Sequence, residues 1–221
     1  MYGLAMHPYL LPLLAFAATA AIFTITPGLD TAMTLRTATT SGWKAGLGAV
    51  LGICLGLAVW GLGAAFGLTA LLAASETAFT AVKWAGALYL GWMGLKLLLH
   101  PRTSLAHEQE EAAAEQPTNR PEIGVAFRRG LLSNLLNPKV GVFYMTFIPQ
   151  FIPPHVNIQE FSLLLTAIQA VLSFAWLGLL VALTIPLGRF LSSPVVVRRM
   201  DRLTGGVFLM FSLKLALARR A

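Results

Sequence analysis

The sequence predicts an all-α polytopic membrane protein of six transmembrane helices. They form two inverted three-helix repeats, with helices one and four broken at Pro27 and Pro138. Three observations predict this. Of 221 residues, 57% are hydrophobic and only 11% charged, against about 25% charged in a soluble domain. Apolar stretches recur at lengths near the ~20 residues that a bilayer crossing needs. Patterns in the first half of the chain return in the second. Such a composition excludes a soluble enzyme, a disordered tail protein and a disulfide scaffold. Six crossings leave no room for a second globular domain.

The first apolar stretch is Leu10–Thr26. Ala18-Thr19-Ala20 imitates a signal-peptide cleavage site, but Met1 to Leu14 holds no Lys or Arg. A signal peptide wants a positive n-region, so this reads as a retained span. The second stretch, Leu47–Leu72, contains the single cysteine, Cys54. One cysteine forms neither an internal disulfide nor a CxxC redox pair. Gly48, Gly52 and Gly56 recur every four residues on one face of that helix, with Gly63 and Gly67 beyond. This is a close-packing stripe, equally suited to contacts within one subunit or to a homodimer. Phe79–Leu99 is the third span. His100–Glu122 is rich in glutamate and proline and reads as a solvated linker. Val125–Phe151, Phe161–Leu187 and Leu203–Ala218 complete the set. The last is short at 16 residues, about 24 Å of helix. Extended back to Val195 it is long enough, with Arg198, Arg199 and Arg202 snorkelling to the interface. The resulting units are residues 1–99, a linker over 100–124, and residues 125–221.

Net charge is +7. The basic residues lie between apolar runs, so the excess reports topology rather than a nucleic-acid partner. The loops after spans one, three and five carry Arg36, Lys44, Lys96, Arg102, Arg120, Arg128, Arg129, Arg189, Arg198, Arg199 and Arg202. The other side has Lys83, Lys214, Arg219 and Arg220. Basic residues gather in cytoplasmic loops, so both termini are expected on the periplasmic side and the linker in the cytoplasm.

The repeat is carried by two matches. Gly86-Ala87-Leu88-Tyr89-Leu90 and Leu95-Lys96-Leu97 return as Gly205-Gly206-Val207-Phe208-Leu209 and Leu213-Lys214-Leu215. Thr26-Pro27-Gly28 is echoed by Asn137-Pro138-Lys139. Each half has an odd number of spans, so a duplicated half inserts upside down. Inverted repeats with broken helices at their meeting point mark secondary transporters.

The chemistry is expected at the breaks. Proline removes a backbone hydrogen bond, and in lipid the freed groups need protein or a watery cavity. Pro27 lies among Thr24, Thr26, Gly28 and Asp30; Pro138 lies among Ser133, Asn134, Asn137 and Lys139. Free carbonyls suit an ammonium and free N–H groups suit a carboxylate. Asp30 and Lys139 are the opposite charges placed there, and an intramembrane ionisable residue is a functional candidate by default. Asp30 binds a substrate ammonium or a coupling proton on this reading, or else caps a short interfacial helix. Lys139 binds a carboxylate or holds Asp30 ionised, or else snorkels to headgroups. Gln150 and Gln169 either line a path or bond between helices. Trp43, Trp84, Trp92 and Tyr144 are interfacial anchors or packing residues. His7, His100, His107 and His155 fall in loops or ends, without metal-ligand spacing. No glycine loop for phosphate, nucleotide motif or nucleophile–base pair is present. No cofactor, metal, enzymatic activity or ATP drive is therefore expected.

Thr26-Pro27-Gly28-Leu29-Asp30, Gly86-x-x-Tyr89-Leu90-x-x-x-Gly94, and Gly130-x-x-x-Asn134-x-x-Asn137-Pro138-Lys139 running to Phe143 and Pro149-Gln150-Phe151 resemble the LysE/RhtB family of amino-acid exporters. That family usually has a second proline where this chain has Leu29. The resemblance implies proton-motive-force-driven export of amino acids or their derivatives across the bacterial cytoplasmic membrane. The candidate site residues are Thr26, Asp30, Asn134, Asn137, Lys139 and Gln150, and the expected partners are an amino acid, a proton and the bilayer. A basic substrate would want another acid at depth. Glu76 and Glu160 are expected at outer ends, leaving Asp30 alone there, which favours a neutral amino acid. The alternatives are an exporter of another small solute or metal ion, or a non-transporting membrane scaffold.

Overall fold

Apolar runs in this chain become helices, and the prolines decide where they stop. The computed structural model describes residues 9–74, 76–102, 123–183 and 193–217. Helix α1 (Leu10–Ile25) ends just before Thr26, which is extended at φ −62° and ψ 117°, as a residue preceding proline prefers. The chain resumes in α2 (Leu29–Ser41), bent by 53° from α1. The stretch read as a loop carrying Arg36 is therefore the helical second arm of the first break. It buries Thr31, Met33, Leu35 and Ala38. Gly42, at φ 88°, turns the chain in a left-handed conformation that glycine adopts without steric cost.

Helices α3 (Trp43–Ala74) and α4 (Glu76–Leu99) follow. The second break also falls where expected. After α5 (Ile123–Leu135), Asn137 is extended, and its Oδ1 accepts the Lys139 N–H at 3.0 Å. Pro138 opens α6 (Pro138–Val142). Asparagine at the N-cap and proline at the first helical position are favoured start signals. Beyond Val142 the chain widens into a π-helical turn, Phe143–Phe147, and tightens into a 3-10 turn, Ile148–Phe151. Periodicity and composition carry no signal for these two turns. Helix α7 (Ile158–Ala182) is capped by Asn157, whose Oδ1 accepts the N–H groups of Gln159 and Glu160. Helix α8 (Pro194–Leu217) begins well before Leu203, as the backward extension required. Its 24 residues reach about 36 Å.

The described residues contain no strand. Trp43–Gly67 and Ile158–Ala182 are each 25 residues long and apolar enough to cross a bilayer, and α1 with α2 forms a third crossing if taken as one bent span. The remaining helices fall short of that test for visible reasons. Helix α5 is only 13 residues long, and α8 carries Arg198, Arg199, Asp201 and Arg202. Most of the linker expected over 100–124 lies outside the described residues, as do Met1–Pro8, Arg189, Arg219 and Arg220.

The glycine stripe of α3 faces α5. A Cβ on Gly52 would collide with the carbonyl of Phe127, and one on Gly130 of α5 with the carbonyl of Ala49. On Gly48 it would lie 2.8 Å from the Ile123 oxygen. The stripe is thus used inside the chain and gives no argument for a homodimer. Gly130→Ala is expected to push α3 and α5 apart, because a backbone carbonyl cannot rotate aside. The cost should reach the upper part of the ~1–3 kcal/mol typical of overpacking. A fall in melting temperature of the purified protein would show it. Gly63→Ala, where a Cβ meets nothing within 4 Å, should leave melting unchanged.

Helices α4 and α8 cross glycine on glycine: a Cβ on Gly94 would sit 2.8 Å from the Gly205 oxygen, and one on Gly205 2.7 Å from the Gly94 oxygen. The centre is filled by phenylalanine. Phe23 stacks on Phe143 at 4.2 Å between centroids, Phe143 on Phe147 at 5.2 Å, and Phe147 meets Phe211 at 4.5 Å. Tyr144 is fully buried beside them, whereas Trp43, Trp84 and Trp92 are exposed.

Candidate functional site

The two breaks meet. Asp30 sits in the first turn of α2, whose N-cap is Gly28. Its carboxylate turns across to the other break instead of capping its own helix. Asn134 Nδ2 donates to Asp30 Oδ2 at 2.8 Å, and Asn137 Nδ2 donates to Asp30 Oδ1 at 3.3 Å. Asn137 therefore does two jobs, since its Oδ1 already caps α6. Asn134 is fully buried against α3, where a Cβ on Gly56 would lie 2.5 Å from its Oδ1. The close approach of α3 and α5 thus holds Asn134 where it can reach Asp30.

Lys139 crosses in the opposite direction. Its Nζ donates to the carbonyls of Phe23 at 3.1 Å and Thr26 at 3.0 Å, and lies 4.5 Å from the Phe23 ring centroid. These carbonyls belong to the end of α1, where a cation is favoured by the helix dipole. The break does offer carbonyls suited to an ammonium, and the chain's own lysine occupies them. Thr26 Oγ1 donates to the Ile22 carbonyl at 2.7 Å and shares a hydrogen bond of 2.6 Å with Thr204 Oγ1 of α8.

Two cavities border this junction. One, about 30 Å³, is lined by Thr24, Asp30, Asn137, Lys139, Gln169 and Ser173 among others. The second, about 440 Å³, is lined by Thr26, Gly28, Asn137 and Lys139 together with Tyr89, Trp92, Phe208, Lys96, His100 and Arg102. Gln169 bonds between helices and also lines the small cavity. Its Nε2 donates to Thr24 Oγ1 at 3.0 Å and Ser173 Oγ at 3.1 Å. Its Oε1 is buried without a hydrogen-bond partner among the described residues. Gln150 lies elsewhere. It lines a third cavity of about 480 Å³ with Leu11, Ala15, Phe151 and Lys214, and Lys214 Nζ donates to its backbone oxygen at 3.3 Å. A run of ring contacts, Phe151–Phe16–Phe143–Phe23, links that cavity, which Phe151 lines, to the small one, which Phe23 lines.

The acid that sequence reasoning missed is Asp201. Asp201 is fully buried in α8. Its Oδ2 accepts from the backbone N–H of Arg102 at 2.8 Å and from Nε at 2.9 Å, and its Oδ1 accepts from Nη2. The same Nη2 reaches the carbonyl of Pro27 at 2.9 Å. An ion pair thus ties the end of α4 and the start of α8 to the first break. The signal was present: Asp201 falls on the buried face with Val197, Thr204, Phe208 and Phe211.

Comparison with known proteins identifies the family. The model of the LysE type translocator family matches residues 21–219. An uncharacterized membrane protein of Vibrio cholerae serotype O1 is 33% identical over 93% of this chain and 97% of its own length. The uncharacterized membrane protein YrhP of Bacillus subtilis is 31% identical over 93% of this chain and 99% of its own. No solved structure matches. The helical breaks and the residues gathered at them therefore sit in a multi-pass membrane protein that belongs to the LysE-type translocators, a family of membrane exporters and not of enzymes.

Proposed function

We propose that the protein exports amino acids or amino-acid derivatives across the bacterial cytoplasmic membrane, driven by the proton-motive force, on six spans arranged as two inverted repeats. The observation that carries this reading is the meeting of Asp30 and Lys139, one from each broken helix, on the wall of one cavity. A zwitterion needs one group of each sign. Transporters of the inverted-repeat kind bind where broken helices meet near the midplane. The 440 Å³ cavity beside the junction is within the ~300–1,000 Å³ range of small-molecule sites.

On this reading the large cavity is the cytoplasmic entrance, since Lys96, His100 and Arg102 line it and belong to the side richer in basic residues. The phenylalanine cluster closes the way to the periplasmic cavity around Gln150 and Lys214. The large cavity is lined by cationic and apolar side chains, and Asp201 is engaged by Arg102. That supports a substrate with a neutral side chain over lysine or arginine.

Efflux from cells preloaded with mixed dipeptides, which peptidases convert to internal amino-acid pools, tests the reading. One or a few amino acids, neutral ones foremost, should accumulate outside faster than from cells lacking the protein. Equal efflux of every amino acid, with insertion shown, would transfer the function to another small solute or to a non-transporting scaffold.

A further inference from the structure

We infer that Lys139 is a built-in stand-in for the amino group of the transported molecule. The carbonyls of Phe23 and Thr26 and the face of the Phe23 ring form a primary-ammonium seat. The substrate takes that seat by drawing Lys139 away with its own carboxylate. The inference rests on the proposed amino-acid transport and adds how both charged ends are required.

Three observations carry it. The first is chemical match. A primary ammonium has three N–H donors and no acceptor, and the Lys139 head finds two carbonyls at 3.1 and 3.0 Å with an aromatic face at 4.5 Å. The ammonium of an α-amino acid is the same group. The second is space. The cavity around Asp30 measures about 30 Å³, room for one or two waters and too small for an amino acid. Lys139 lines both this cavity and the 440 Å³ one, as do Thr26, Gly28, Leu29 and Asn137, so its side chain is part of the wall they share. A molecule in the large cavity is thereby within reach of that ammonium. The third is a neighbour without a side chain. The lysine stem lies against Gly28, where an added Cβ would sit 3.6 Å from Nζ and 3.7 Å from Cδ.

Charge then dictates what the swap accepts. A buried charge without a partner is strongly unfavourable. A zwitterion supplies an ammonium to the carbonyls and a carboxylate to the displaced lysine, leaving nothing unpaired. An amine without a carboxylate would expel Lys139 towards Asp30, whose two oxygens already accept from Asn137 and Asn134. A carboxylate without an amine would strip the carbonyls of their donor.

Lys139→Met vacates the seat while keeping an unbranched apolar stem, so it should abolish the need for a carboxylate. The test uses the purified full-length protein and thermal stabilisation by L-leucine, L-methionine and L-phenylalanine. Each is paired with its decarboxylated amine: isopentylamine, 3-(methylthio)propylamine and phenethylamine. Wild type should be stabilised by at least one amino acid and by none of the amines. The methionine variant should bind the matching amine at least tenfold more tightly than wild type does, and the amino acid more weakly. If that variant fails to fold, Lys139→Gln, with a neutral head, makes the same comparison. Wild type that accepts amine and amino acid alike, or a folded variant with no gain for the amine, would overturn the inference while leaving amino-acid transport standing. Wild type that neither binds nor exports any amino acid would overturn the transport reading itself.

Discussion

Replacing Arg102 with alanine is expected to destabilise the fold by about 3–5 kcal/mol, the range for breaking a buried ion pair by removing one partner. Removal strands the Asp201 side chain, which is 0% exposed, whereas that of Arg102 is 31% exposed. Only the backbone N–H of residue 102 would remain as a donor to it. The Pro27 carbonyl would lose the guanidinium as well. Melting of the purified protein in detergent measures the loss. The double variant Arg102→Ala/Asp201→Leu should recover more than half of it, because an apolar replacement removes the stranded charge. A double variant as unstable as the single one would show that the charge was not the cause. Asp201→Leu alone should cost less than Arg102→Ala, since the arginine left behind borders a cavity of about 440 Å³.

What could be read from the sequence divides along a physical line. Both breaks were legible, because proline beside asparagine, glycine or threonine inside an apolar run is incompatible with an unbroken helix in lipid. The grouping of Asp30 with Asn134 and Asn137 was legible for the same reason, though 104 and 107 residues separate them. The glycine stripe announced close packing, but a stripe does not name what it packs against, and only the fold assigned it to α5. The partners of Lys139 were not legible as such. Carbonyl oxygens at a helix end leave no mark in side-chain identity, so the free carbonyls could be inferred while their occupant could not. The α2 arm was hidden by its polar threonines, which read as a loop until burial against α3 and α5 gives them a reason. Gln150 was gathered into the site by its closeness in sequence to the second break. The π-helical and 3-10 turns of Phe143–Phe151 set it in the opposite cavity.

Asp30→Asn is expected to cut net efflux by about 10- to 100-fold while leaving insertion intact. The substitution keeps the shape of the side chain, so packing of α2 against α5 should survive. It removes a negative charge and turns one acceptor into a donor. Asn134 Nδ2 and Asn137 Nδ2 both donate to the carboxylate at present, and one of them would then face another donor. A hydrogen bond to a charged group contributes about 1.5–3 kcal/mol, and each 1.4 kcal/mol is tenfold, which sets the expected range. Wild-type flux in an inserted Asn variant would remove Asp30 from the mechanism. The manner of loss separates the two roles the carboxylate can have. Asparagine imitates a permanently protonated aspartic acid, so a residue that carries the coupling proton would be frozen in one state. Exchange of labelled for unlabelled amino acid across the membrane needs no net proton movement and should then continue at close to the wild-type rate while net efflux stops. A residue that grips the substrate ammonium would lose both together. Measuring exchange and net efflux on the same proteoliposomes therefore assigns Asp30 to the proton or to the substrate.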